Sequence, residues 1–181
     1  MKYALVYGLL SGLVVAAVLV AGLALGPDSG FHHSVWFGYL VMLVALTFIF
    51  VGVKRYRDVE RGGVIRFLPA FLMGLATAAV AGIIYVCMWE LYEASTGYRF
   101  MDEYIAAMIR HRQAEGASAA EIARVTADMD SMRVSYANPL FRIPMVFLEI
   151  FPVGFIVALI SAALLRNPRL LPARSPNDRS I

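Results

Sequence analysis

The sequence is poor in the residue types that soluble enzymes and disulfide-stabilised proteins use most. Of its 181 residues only 16% are charged, against about 25% in soluble domains, and it has three histidines and a single cysteine, Cys87. One cysteine excludes an intramolecular disulfide framework. Because 60% of the residues are hydrophobic, the apolar surface could not all be packed inside one small core, which excludes an ordinary soluble globule.

Signatures of the common enzyme classes are missing as well. The chain has no glycine-rich loop followed by lysine, no H-E-x-x-H and no G-x-S-x-G. The net charge of +3 does not indicate nucleic acid as a partner, because the basic residues lie beside apolar runs. His32 and His33 with Asp28 define no coordination geometry for a metal. We therefore expect no enzyme activity, no metal and no cofactor.

Four long apolar runs account for the composition. Tyr3–Leu25, Val35–Val53 and Phe67–Trp89 contain no charged residue, and Pro144–Leu165 contains only Glu149. Each run has about 20 residues, the length at which an α-helix crosses about 30 Å of hydrocarbon. The first run is longer than the core of a signal peptide, so we expect it to be retained. The sequence predicts transmembrane helices at about residues 3–25, 35–53, 67–89 and 141–165.

Capping chemistry places two helix boundaries. Gly26-Pro27 ends the first predicted helix, because glycine makes a flexible C-cap and proline cannot continue the hydrogen-bond ladder. Asn138-Pro139 begins the fourth, because asparagine caps free amides and proline is tolerated at the first helical position.

Residues 90–138 form the only sizeable polar stretch and predict a helical hairpin. Ser118 and Glu121 match a capping box, and Gly116 just before them predicts a turn. Apolar residues then recur at spacings of three and four: Ile122, Val125, Met129, Met132 and Tyr136. A shorter stripe precedes the turn: Met101, Ile105 and Met108. This periodicity indicates two helices whose apolar faces meet each other or the membrane surface.

Basic residues predict the orientation. The connection 54–66 carries five basic and two acidic residues, and the tail from Arg166 carries four and one. By the positive-inside rule both are cytoplasmic. Residues 90–140 carry five arginines and eight carboxylates over a longer stretch, so we expect the hairpin on the extracytoplasmic side. We also expect the 54–66 connection to bind anionic lipid head groups.

Depth in the bilayer singles out one carboxylate. Counting back from Arg166 at about 1.5 Å per residue places Glu149 about 26 Å along the helix from the cytoplasmic end of the span. That depth is about 5 Å inside the far edge of the hydrocarbon. The same counting places Glu90 and Arg142 near about 36 Å, in the interface. These three polar residues are therefore candidates for intramembrane or interfacial contacts.

Pro152, three residues after Glu149, leaves two interpretations of the Glu149 carboxylate open. Pro152 removes an amide donor and frees the carbonyl of Leu148, as happens at gates and ion sites but also in structural helices. Glu149 with Pro152 is therefore either a proton-linked or ligand-linked site, or a structural anchor. As an anchor its carboxylate would bond Tyr85, Trp89 or Arg142, and we favour that interpretation.

Small residues at helical spacing indicate close packing. Gly8-xxx-Gly12 lies in the first predicted helix, and Gly74-xxx-Ala78-xxx-Gly82 lies in the third. We favour packing within the four-helix bundle over a homodimer seam.

Several short strings together resemble a known family. They are Gly52-Val53-Lys54, Tyr56-Arg57-Asp58, Gly62-Gly63, Ile65, Phe67, Trp89-Glu90, Asn138-Pro139-Leu140, Glu149-Ile-Phe-Pro-Val-Gly154 and Ile160-Ser161-Ala162. Because of these strings the chain resembles the small bacterial membrane proteins grouped as "domain of unknown function 4199". The resemblance extends up to Arg166. The resemblance implies a bacterial four-helix membrane protein and no particular activity.

The prediction is an all-α integral membrane protein with four transmembrane helices and an extracytoplasmic helical hairpin between helices 3 and 4. We expect a bacterial inner-membrane location, cytoplasmic termini and a basic, disordered tail at 167–181. A noncatalytic scaffold or partner subunit is favoured, in contact with the bilayer and with either a second copy or a membrane partner protein. The alternative is a small oligomeric transporter or proton-linked channel using Glu149, although the first three spans offer few polar residues to line a path.

Overall fold

The computed structural model describes residues 1–24 and 35–173, and their side chains except those of 19–24, 35–42 and 45. Within these ranges the chain forms six α-helices: α1 Lys2–Ala24, α2 Val35–Glu60, α3 Phe67–Thr96, α4 Phe100–Ala114, α5 Ala119–Tyr136 and α6 Pro139–Leu165. The described residues contain no β-strand, which confirms the all-α prediction. Gly26-Pro27 and the pair His32-His33 with Asp28 lie outside these ranges.

Among the residues that the structure describes, two helices are long and apolar enough to cross a membrane. They are α3 and α6, and α1 contributes a shorter apolar helix, Lys2–Val18. This finding indicates a membrane protein.

Two of the helices continue past the ends of their apolar runs. Helix α2 reaches Glu60 rather than Val53, and α3 reaches Thr96 rather than Trp89. Backbone hydrogen bonds need no apolar side chains, so a helix continues into polar sequence until a terminating residue appears. That residue is a glycine after α3: Gly97 has φ +67°, and the amide that follows it donates to the carbonyl of Glu93 at 2.8 Å, as in a Schellman cap.

Chain contacts divide the protein into two compact units, of which the first is Met1–Tyr85 with Glu149–Ile181. Its helices approach each other at glycines. A Cβ added to Gly8 would lie 2.6 Å from Val80 Cβ, one at Gly12 2.6 Å from Ile84 Cβ, and one at Gly74 2.9 Å from Ala158 Cβ. Only glycine allows such approach. Packing within the chain, the interpretation favoured from the sequence, is therefore confirmed at these three positions.

The second unit, Val86–Leu148, contains the predicted hairpin. Helices α4 and α5 pack together. Ser118 and Glu121 form both hydrogen bonds of the capping box, and Gly116 takes φ +81° in the turn. The Leu140 amide donates to Asn138 Oδ1 at 3.0 Å, which confirms the cap at the start of α6. All the residues of both apolar stripes are buried or half-buried.

Candidate functional site

Glu149 lies on the exposed surface of α6. The Tyr85 hydroxyl donates to its Oε2 at 3.4 Å, which is long for a hydrogen bond between oxygens. Of the partners considered for an anchor, Trp89 instead donates to the Tyr136 hydroxyl at 2.7 Å, and Arg142 pairs with Glu90 (below). Of the three alternative partners, Tyr85 is therefore the one that bonds Glu149, by a weak contact.

Pro152 is exposed, and α6 remains helical through it to Leu165. The missing amide donor therefore does not end the helix, which agrees with the tolerance of proline in membrane helices.

A polar cluster lies in the second unit, around Arg142. Its side chain is 3% exposed, and its guanidinium forms a bidentate pair with Glu90, with Nε–Oε1 at 2.7 Å and Nη2–Oε2 at 2.6 Å. Nη1 also donates to the Tyr136 carbonyl at 3.2 Å. The rings of Tyr98 and Tyr136 lie 5.1 and 5.7 Å from the guanidinium carbon, within range of cation–π attraction. Residues that the sequence placed separately in the interface thus form one charge-assisted pair.

Glu93 belongs to the same unit and was missed in the sequence analysis. It is 1% exposed, and its Oε1 is the buried side-chain polar atom without a hydrogen-bond partner in the described part of the chain. The signal was its spacing: Glu93 follows Trp89 by four residues and Glu90 by three, so the three share one helix face.

Tyr136 connects these groups. Its hydroxyl accepts from Trp89 Nε1 at 2.7 Å. Burial, opposed by that hydrogen bond and reinforced by the charge of Glu93, raises the pKa of the Tyr136 hydroxyl well above its ordinary value. The hydroxyl therefore stays protonated near neutral pH and remains a donor.

A cavity of about 360 Å³ opens onto this cluster. Glu93, Tyr98, Tyr136 and Arg142 line it together with Asp102 and Arg133. Asp102 and Arg133 have side chains 59% and 52% exposed, whereas Glu93 is buried, so the first two mark the mouth and Glu93 the interior. No group of three or more His, Cys, Asp or Glu among the described residues could hold a metal ion.

In the first unit, a second arginine is fully buried. Arg57, at 0% exposure, donates to the carbonyls of Leu165 at 3.5 Å and Leu170 at 3.0 Å, and to that of Leu171. These carbonyls lie at and just beyond the C-terminal end of α6, where a helix attracts cations. Residues 167–173 of the predicted tail thus adopt turns held by Arg57, and disorder at 174–181 stays a prediction.

Asp58 holds the Arg57 guanidinium from the other side, with Oδ1 2.8 Å from Nε. Burial opposes ionisation of Asp58, but hydrogen bonds from Lys54 and Arg57 outweigh burial and hold its pKa below the ordinary value. Arg57 is therefore buried and does not belong to the exposed basic surface that we expected to bind lipid head groups. Arg55 and Arg66 remain exposed.

A family model described as "Protein of unknown function (DUF4199)" matches residues 2–167. The chain belongs to this family. The resemblance drawn from the sequence strings is therefore confirmed. No curated protein and no solved structure matches the chain. The matched range contains the Glu90–Arg142 pair and Glu93, whereas the Leu170 and Leu171 carbonyls that Arg57 binds lie just beyond it.

Proposed function

We propose that this DUF4199 protein is a noncatalytic membrane scaffold or partner subunit that presents its α4–α5 hairpin to other molecules. In this proposal α1, α2, α3 and α6 all cross the bacterial inner membrane, the hairpin is extracytoplasmic, and both termini lie in the cytoplasm. The basic connection 54–66 sets that orientation.

The proposal rests on the packing of the apolar helices, in which glycines allow close contacts and hydroxyl groups donate to carbonyls of their own helix. Glycines close the gaps between them, as at Gly8, Gly12 and Gly74. The Thr77 hydroxyl donates to Met73 O at 2.8 Å and the Ser161 hydroxyl to Val157 O at 2.6 Å. These hydroxyls are satisfied within their own helices, so they are not arranged to line a polar path.

The surface available to other molecules is instead on the hairpin. Val134 on α5 is 72% exposed, and Tyr104 on α4 is 47% exposed. Exposed aromatic and apolar residues between charges are typical of protein contact surfaces.

Orientation is testable by cysteine labelling in intact cells. The exposed native Cys87 is first replaced by alanine, and a single cysteine is then introduced at Ala114 in the hairpin or at Val64 in the basic connection. Both positions are exposed. We expect a membrane-impermeant maleimide to label Ala114→Cys in intact cells and Val64→Cys only after permeabilisation. Labelling of both from one face would contradict the proposed topology.

The scaffold role is testable by site-specific photo-crosslinking in native membranes. A photoreactive residue at Val134 should give a reproducible adduct of one size, whereas the same residue at Val64 serves as the matched control on the other side. Purified protein that is a dispersed monomer, with no adduct at Val134, would contradict the scaffold.

One observation favours a second candidate, a proton-linked transporter or channel. Glu149 places a carboxylate on the exposed surface of α6 with a long hydrogen bond from Tyr85, where a second copy could complete a site. If this candidate is right, proteoliposomes containing the protein will show proton or solute flux that Glu149→Gln reduces. The scaffold predicts no flux from either protein, beyond that of empty liposomes.

A further inference from the structure

The cavity of the second unit has the dimensions of a small-molecule site. Its volume of about 360 Å³ falls within the range of about 300–1,000 Å³ of ligand pockets. All its lining residues come from one compact unit, from the end of α3 to the start of α6.

The buried carboxylate of Glu93 indicates what the cavity lacks. Its Oε1 is buried and accepts no hydrogen bond from the described residues, although buried polar atoms are nearly always satisfied. A hydrogen-bond donor inside the cavity would remove this defect.

The charges around the cavity exclude an anion as that ligand. Arg142 is already paired in bidentate geometry with Glu90. Arg133 lies 3.3 Å from Asp102 and 3.4 Å from Asp130. The lining itself carries two carboxylates, Glu93 and Asp102, and two guanidinium groups, Arg133 and Arg142. An entering anion would meet two guanidinium groups that already have carboxylate partners and the unpartnered Oε1 of Glu93.

The same groups favour an ammonium over a metal ion. The lining contains two carboxylates, Glu93 and Asp102, whereas Ca²⁺ takes about 6–8 oxygen ligands. An ammonium group has three N–H donors and is satisfied by a few acceptors. Met101, 8% exposed, and the ring of Tyr98 supply apolar wall for the remainder of an organic molecule.

We propose that this cavity binds a small organic molecule with a protonated amine, which donates a hydrogen bond to Glu93 and is attracted by Asp102 at the mouth. This proposal does not rest on the scaffold function, because the cavity lining does not include Val134 or Tyr104, the exposed hairpin residues on which the scaffold proposal draws.

The test uses the full-length protein in nanodiscs and three ring compounds that differ in charge. They are 4-fluorobenzylamine, the neutral 4-fluorobenzyl alcohol and the anionic 4-fluorobenzoate, and binding is followed by ¹⁹F NMR. We expect saturable binding of the amine and weaker binding of the other two. No saturable binding of the amine up to about 10 mM, which would mean a binding free energy weaker than about 3 kcal/mol, would overturn the proposal. Equal or tighter binding of the benzoate would also overturn it.

Two variants locate the site. Glu93→Gln keeps the shape and removes the charge, and it should weaken amine binding about tenfold or more. Glu103→Gln, an exposed carboxylate on α4 that does not line the cavity, should leave binding unchanged. If Glu93→Gln does not fold, Asp102→Asn tests the mouth of the cavity, because an exposed side chain can be replaced without unfolding the protein. We expect Asp102→Asn to weaken amine binding severalfold. Binding that neither Glu93→Gln nor Asp102→Asn changes would place the amine elsewhere and refute the assignment.

Discussion

Arg57 provides the sharpest test of the first unit. Arg57→Met keeps an apolar stem of similar length and removes the guanidinium. Its loss leaves the carbonyls of Leu165, Leu170 and Leu171 without this donor, and Asp58 with Lys54 as its remaining cation. The perturbation therefore concentrates at the C-terminal end of α6 and the turns that follow it.

The expected magnitude follows from burial. Hydrogen bonds to a charged group contribute about 1.5–3 kcal/mol each. The 3.5 Å contact to Leu165 contributes little at that distance. The two other carbonyl contacts, to Leu170 and Leu171, are lost with the guanidinium, whereas Asp58 keeps Lys54 as a partner at 2.5 Å. We expect the loss of these two bonds in Arg57→Met to lower the free energy of unfolding by about 3–6 kcal/mol.

The control is Arg55→Met, two residues earlier in α2. Arg55 is exposed, so the variant removes the same charge from the same basic connection without breaking a buried contact. Its effect should stay within about 0.5 kcal/mol, as is usual for surface substitutions. Any effect of net charge on orientation is then common to both variants.

Two measurements on the purified protein decide the outcome. Unfolding by denaturant in mixed micelles gives the free-energy difference. Hydrogen exchange followed by mass spectrometry reports whether amides in 166–173 exchange faster in Arg57→Met than in Arg55→Met. Equal unfolding midpoints and equal exchange in the two variants would refute the argument that Arg57 caps α6.

Two further predictions concern helix contacts. Gly12→Leu should lower the free energy of unfolding by about 1–3 kcal/mol, because its Cβ would lie 2.6 Å from Ile84 Cβ. The exposed control Leu9→Ala should change it by about 0.5 kcal/mol or less, and equal unfolding midpoints would show that this contact does not form. Glu90→Gln and Arg142→Gln should each cost about 3–5 kcal/mol, and the double variant should cost less than their sum by at least about 1 kcal/mol. Strict additivity in this cycle would mean that the two side chains do not interact.

The parts of the fold that follow from local signals were predicted from the sequence. The hairpin turn, the capping box at Ser118 and the start of α6 at Pro139 each depend on residues a few positions apart. Long apolar runs likewise predicted α3 and α6, the two described helices that are long and apolar enough to cross a membrane. Helices α2 and α3 continue beyond the predicted spans, because a helix ends at a terminating residue rather than at a change of polarity.

The polar contacts could not be predicted in the same way, because they join residues far apart in the chain. Glu90 and Arg142 are 52 positions apart, and Arg57 and Leu165 are 108 apart. Arg57 has the same residue type and neighbourhood as exposed Arg55, and only the facing helix distinguishes them. Glu93 was missed for a related reason, since a carboxylate past the end of an apolar run is ordinarily solvated.

Helix α6 makes polar contacts near both of its ends and close apolar contacts between them. Near its start Arg142 pairs with Glu90 of α3, and at its end Arg57 of α2 binds the free carbonyls. Between them, Ala158 lies against Gly74, and a Cβ at Gly154 would lie 2.9 Å from Ala78 Cβ. Lipid is as apolar as leucine, so apolar surface alone does not select which helices pair. Selection in α6 therefore rests on a few small residues in the middle and on two buried arginines, which hydropathy and charge counting treat as interchangeable with their exposed neighbours.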